Sequence, residues 1–83
     1  MPGLPRVTLY TRAGCCLCGE AKQQLAAARR RADFDLEEID IDSDPQLQAL
    51  YNDEVPVVAI NGKKAFKYRV AQREFLEKLR ART

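Results

Sequence analysis

The chain contains no histidine, and its three cysteines are confined to four consecutive positions, Cys15-Cys16-Leu17-Cys18. Nucleophilic catalysis of the Cys-His kind is therefore excluded, since no imidazole is present to act as base. A closed zinc site is disfavoured on the same ground. Its four ligands normally come as two cysteine pairs or as cysteines with histidines, and one chain cannot complete that set. An odd number of thiols packed this closely does not make a disulfide framework, because a framework staples distant segments. The four glycines form no phosphate-cradling loop. No apolar run approaches the roughly 20 residues of a spanning helix. Met1-Pro2-Gly3-Leu4-Pro5 is too short and too poor in apolar residues for a signal peptide. A net charge of only +2, without interleaved aromatic and basic residues, makes nucleic acid an unexpected partner. The expectation is a cytoplasmic monomer that engages neither membrane nor nucleic acid.

What is present fits one small α/β domain spanning residues 1–83. A chain of this length buries only about 60% of its unfolded surface in a single core. A hydrophobic fraction of 46% and a charged fraction of 31% are ordinary for a globular chain. The charges are unevenly spread, however. Seven acids and no bases lie between Asp33 and Asp44, whereas from Lys63 onward eight bases face two acids. Such blocks either keep solvated faces soluble or form a basic rim that attracts an anionic thiol or partner.

Along the chain, Pro5 to Thr11 alternates Val7, Leu9 and Thr11 against Thr8 and Tyr10, which predicts a short central strand. Ala13-Gly14 breaks that pattern. From Cys16 to about Arg31, the recurrence of Leu17, Ala21, Leu25 and Ala28 predicts a helix. Phe34 to Ile41 supplies a second strand whose parity slips between Leu36 and Ile39, as expected of an irregular start or an edge position. Asp44 is the expected N-cap of a second helix, with Pro45 at its first position and Leu47, Leu50 and Tyr51 as its buried stripe, ending near Asn52. Val57 to Ile60 and Lys63 to Tyr68 flank Asn61-Gly62, a strong signal for an antiparallel hairpin. Ala71, Phe75, Leu76 and Leu79 mark the apolar side of a last helix, with Arg73, Lys78, Arg80 and Arg82 outside it.

Cys15 and Cys18 thus form a CxxC pair where a strand feeds a helix. A helix start exposes unpaired N–H groups and the positive end of the dipole, which biases a cysteine placed there toward the thiolate. Cys15 is the candidate attacking thiol. Cys18, one turn further in, is the candidate resolving thiol. Arg12 either adds positive charge near Cys15 or is a solvated loop arginine. Cys16 is an alternate thiol, a metal ligand or a bystander, and joining it to Cys15 would strain adjacent backbone.

The run Leu9 to Cys18 resembles the active-site segment of glutaredoxins, Val55-Pro56-Val57 resembles the cis-proline segment of that fold, and Asn61-Gly62-Lys63 resembles its hairpin. The likeness runs from Val7 to about Leu79. It implies the minimal thioredoxin fold, β-α-β-α-β-β-α, with a four-stranded mixed sheet of order 2-1-3-4, the first and third helices on one face and the second on the other. It implies a thiol–disulfide oxidoreductase with Cys15 and Cys18 as redox pair. Val55 and Pro56 would lie beside Cys15 across a cis bond and, with Arg12, meet a protein or small-molecule disulfide substrate. No cofactor is expected to be bound. Glutathione or a thioredoxin-type reductant is the implied electron donor, although Phe66 to Gln72 lacks the glycine pair of glutathione-using glutaredoxins. Two other readings remain open: a metal or iron–sulfur carrier of glutaredoxin type, or a redox-inactive interaction module.

Overall fold

The computed structural model describes residues 4–81, so Met1-Pro2-Gly3, Arg82 and Thr83 lie outside the described residues. Strand β1 (Arg6–Thr11) is β-branched and aromatic at most positions and occupies the interior of the sheet, with Val7, Leu9 and Thr11 buried. A turn leads into helix α1 (Cys16–Arg29), which stops two residues short of the expected end. Strand β2 (Asp35–Asp40) runs parallel to β1 along the outer edge. A short 3-10 turn (Ile41–Ser43) and helix α2 (Pro45–Tyr51) follow, the latter capped by Asp44, whose carboxylate accepts the Gln46 N–H. Strands β3 (Val57–Ile60) and β4 (Lys63–Lys67) form an antiparallel hairpin, and α3 (Gln72–Ala81) closes the chain.

The sheet order is β2-β1-β3-β4, with β1 antiparallel to β3. This is the minimal thioredoxin arrangement. Asn61 and Gly62 both take positive φ, 52° and 85°, as the tight hairpin turn requires. The core lies on one face, where Val7, Leu9, Val58 and Ile60 of the sheet pack against Ala21, Leu25 and Ala28 of α1 and Phe75 and Leu79 of α3. Phe34 and Phe75 meet edge to face at 5.2 Å at its centre. On the opposite face Tyr10 stacks on Tyr51 of α2, their ring centroids 4.7 Å apart.

Three expectations need correction. Helix α2 buries no residue fully, and Leu50 is 61% exposed, because this helix rests on the sheet mainly through Tyr51. Ala71 is exposed and precedes α3; Val70 takes its place in the core. Strand β4 ends at Lys67, since Tyr68 turns the chain with φ 68°. The parity slip in the second strand has a physical basis. Phe34 enters the core ahead of the strand and Leu36 packs on the same cluster, while Ile41 is buried within the 3-10 turn after the strand ends.

Candidate active site

The loop between β1 and α1 is built around one turn. The Cys15 N–H donates to the Arg12 carbonyl at 3.3 Å, and Gly14 at φ 79° sits third in that turn, where a side chain would be strained. Cys15 is the N-cap of α1: its backbone is extended, φ −87° and ψ 111°, and its Sγ accepts the Cys18 N–H at 3.2 Å. The sulfur therefore stands where a capping oxygen ordinarily would. Cys15 is half-buried, Cys16 is exposed on the first turn, and Cys18 is 3% exposed; all three are thiols. Burial pushes the Cys18 thiol up to about 11, and its hydrogen bond with Cys15 pushes in the same direction. The two outer cysteines are thus unlike. One is reachable and capped onto the helix start, while the other is covered and held protonated.

The Arg12 side chain is 33% exposed, and its guanidinium is engaged on the neighbouring elements rather than turned to the cysteines. Its Nε donates to both carboxylate oxygens of Asp42 (3.1 and 3.3 Å) and its Nη2 donates to Oδ1 at 3.0 Å. Its Nη1 reaches the Asn52 carbonyl at 3.3 Å and the Asn52 side-chain oxygen at 2.6 Å. The hydrogen bond to Asp42 raises the guanidinium, and the same bond, with one from Gln48, holds the Asp42 carboxyl below its ordinary value. Arg12 thereby ties the cysteine loop to the end of α2, three residues ahead of Val55. From sequence, this tie was missed. Asp42 and Asn52 lie 30 and 40 positions away, and nothing local marks them as partners.

The Val55–Pro56 bond is cis. Because Tyr10 pairs with Val57, the β1–β3 register carries Pro56 alongside Thr11, at the sheet end from which the cysteine loop leaves. Pro56 is buried and Val55 half-buried. Among the described residues, no backbone hydrogen bond engages the Val55 N–H or C=O. The Tyr68 N–H donates to the carbonyls of Pro56 (2.9 Å) and Glu54 (3.3 Å), so the end of β4 is fastened to this same segment. Nearby, Lys64 forms an ion pair with Glu54, raising the amine and lowering the carboxyl.

On the other side of the cysteines an open cavity of about 430 Å³ runs between the start of α1 and β2, reached by Cys15, Cys18, Lys22, Glu38 and Asp40. Lys22 and Glu38 are paired across it at 2.8 Å. Sequence reasoning overlooked this pair too, although Lys22 follows Cys18 by four positions and so shares its helix face. Among the described residues, no group of three or more cysteine and carboxylate side chains converges as a metal site would. No helix among them is long and apolar enough to cross a membrane.

The sequence model of a family described as a glutaredoxin-like domain (DUF836) matches residues 6–80. An uncharacterised protein of Mycobacterium tuberculosis is 38% identical over 65 residues, which cover 72% of this chain and 67% of the relative. The solution structure of protein Ne2328 from Nitrosomonas europaea superimposes with a TM-score of 0.80 at 30% identity, covering 94% of each chain. The X-ray structure of protein XcR50 from X. campestris gives 0.77 at 29%, covering 90% of this chain and 96% of that one. A chloroplastic thioredoxin z shares the fold, with a TM-score of 0.77 at 15% identity over 94% of this chain and 77% of its own.

Proposed function

Because the chain belongs to the glutaredoxin-like domain family, we propose that it is a small thiol–disulfide oxidoreductase working through Cys15 and Cys18. The observation that carries this reading is the unequal pair at the start of α1: a reachable sulfur at the helix cap and a buried thiol one turn behind it. In the first step the Cys15 sulfur, as thiolate, attacks one sulfur of a substrate disulfide. A Cys15–substrate disulfide forms and the second substrate sulfur leaves as a thiolate that takes a proton from water. In the second step Cys18 loses its proton and attacks the Cys15 sulfur. The first substrate sulfur leaves, and a Cys15–Cys18 disulfide remains. Two electrons pass from the protein to the substrate. Glutathione or a thioredoxin-type reductant returns them.

The open backbone of Val55 supports its role as the strip against which an extended substrate pairs, with Pro56 as the wall beside it. Arg12 serves the substrate by holding the cysteine loop against the end of α2, with its guanidinium occupied by Asp42 and Asn52. The substrate is a protein or small-molecule disulfide, and a reducing compartment such as the cytoplasm keeps the pair reduced. The test is an insulin or hydroxyethyl disulfide reduction assay on three proteins. Wild type is expected to turn over and Cys15→Ser to be inactive, while Cys18→Ser accumulates a mixed disulfide on Cys15 visible as an adduct by mass spectrometry. Full activity in Cys15→Ser ends this reading.

A further inference from the structure

The second chemical step needs a thiolate at the most buried sulfur of the site, and the chain has no histidine to take the proton. Helix α1, the cysteine loop and strand β2 supply the groups around Cys18. Its own helix contributes Lys22, one turn on, and Cys15 at the cap. The cysteine loop contributes the Arg12 backbone, while the Arg12 guanidinium is engaged by Asp42. Strand β2 contributes Glu38 and Asp40, both on the cavity wall. Asp40 accepts the Asp42 N–H through its own carboxylate, and Glu38 is bound to Lys22. Lys22 and Cys18 lie one turn apart on α1, and both open onto the same 430 Å³ cavity.

We propose that Lys22, steered by Glu38, is the positioning residue for the resolving step, its ammonium standing over the cavity where the Cys18 thiolate forms. This rests on the thiol–disulfide reading above. The Cys18 proton leaves through the open side of the cavity to bulk water. The thiolate left behind is stabilised by the ammonium until it attacks Cys15, forming the intramolecular disulfide and releasing the substrate thiolate, which is reprotonated by water. Glu38 holds the lysine in place and partly neutralises it. Glu38→Gln keeps an amide oxygen to accept from the ammonium and removes only the negative charge, so removing the cation and removing its anion's charge have opposite consequences. A mere α1–β2 strap would respond to both in the same way.

The experiment uses full-length protein carrying Cys16→Ser, so that the exposed thiol does not report, and dipyridyl disulfide as a neutral chromogenic probe. Rapid mixing separates a concentration-dependent first release of thiopyridone at Cys15 from a concentration-independent second release on attack by Cys18. The pH midpoint of the second phase is the readout. Lys22→Met is expected to raise it by roughly half a unit, the scale of one solvent-screened charge. Glu38→Gln is expected to lower it, and Lys22→Arg to keep the wild-type value. The proposal is overturned if Lys22→Met leaves the midpoint where it was, or if Lys22→Met and Glu38→Gln move it the same way. Absence of any second phase in the parent protein would instead overturn the oxidoreductase reading.

Discussion

Tyr68 is a residue with a bulky side chain in a glycine's conformation. It sits at φ 68°, inside a γ-turn closed by the Arg69 N–H on the Lys67 carbonyl at 2.8 Å. A residue with a Cβ in such a region costs about 1–3 kcal/mol, which the surrounding contacts must outweigh. Here the contacts are the two hydrogen bonds from the Tyr68 amide to the carbonyls flanking the cis proline. The ring adds little, being 44% exposed with Lys67 5.5 Å from its centroid, a contact worth about 0.5–1 kcal/mol. Two substitutions separate these terms. Tyr68→Ala loses the ring and keeps the strain. Tyr68→Gly loses the ring and the strain together, at about 0.5–1 kcal/mol of extra unfolded-chain entropy. Against Ala, then, Gly is expected to be the more stable by about 1 kcal/mol, or about 4–8 °C in Tm for a domain of this size. Urea and thermal unfolding of the pair, followed by circular dichroism, measure the difference. If Tyr68→Ala equals or exceeds Tyr68→Gly, the claim that this position carries strain is wrong.

Two further outcomes follow from the core and from Cys18. The folded dithiol holds the Cys18 proton up to about 11 against an ordinary 9.0, so between those values the unfolded chain binds fewer protons than the folded one. This share of stability is complete below about pH 9 and is lost as pH rises toward 11. A loss on the order of 1 kcal/mol after solvent screening is expected. It should be read as a falling urea midpoint in the dithiol protein that is absent in Cys18→Ser. Phe75, fully buried between Phe34 and Phe66, should cost about 3–5 kcal/mol as Phe75→Ala. That is comparable to the whole stability of roughly 4–12 kcal/mol for a chain of this length. Phe75→Leu should lose less than half as much, and near-equal urea midpoints for the two variants would contradict the packing described.

The fold was largely legible because its signals are local. Asn61-Gly62 announces a turn that needs two positive φ angles, Asp44-Pro45 announces a helix start, and the alternation of Val7 and Leu9 announces which side of β1 meets the core. The stripe proposed for α2 misled because Leu50 has the right spacing but no opposing surface; its helix meets the sheet at Tyr51. Periodicity reports which residues share a helix face, and only the packing partner decides whether that face is covered.

By itself the sequence determined where Cys15 and Cys18 stand: with two residues between them, after a strand and at the opening of a helix, with glycine in the turn before them. It determined equally that no histidine can assist them. Tertiary structure alone decided what surrounds that pair. The parallel pairing of β1 with β2 carries Glu38 to Lys22 and, through the 3-10 turn that follows β2, Asp42 to Arg12, while the return of α2 brings Asn52 there. The antiparallel register of β3 sets the cis Val55–Pro56 segment at the end of β1. These contacts join residues 16 to 45 positions apart, and their energies depend on geometry that the strand registers impose. Helix caps and turns, by contrast, are encoded within three or four residues and need no such help.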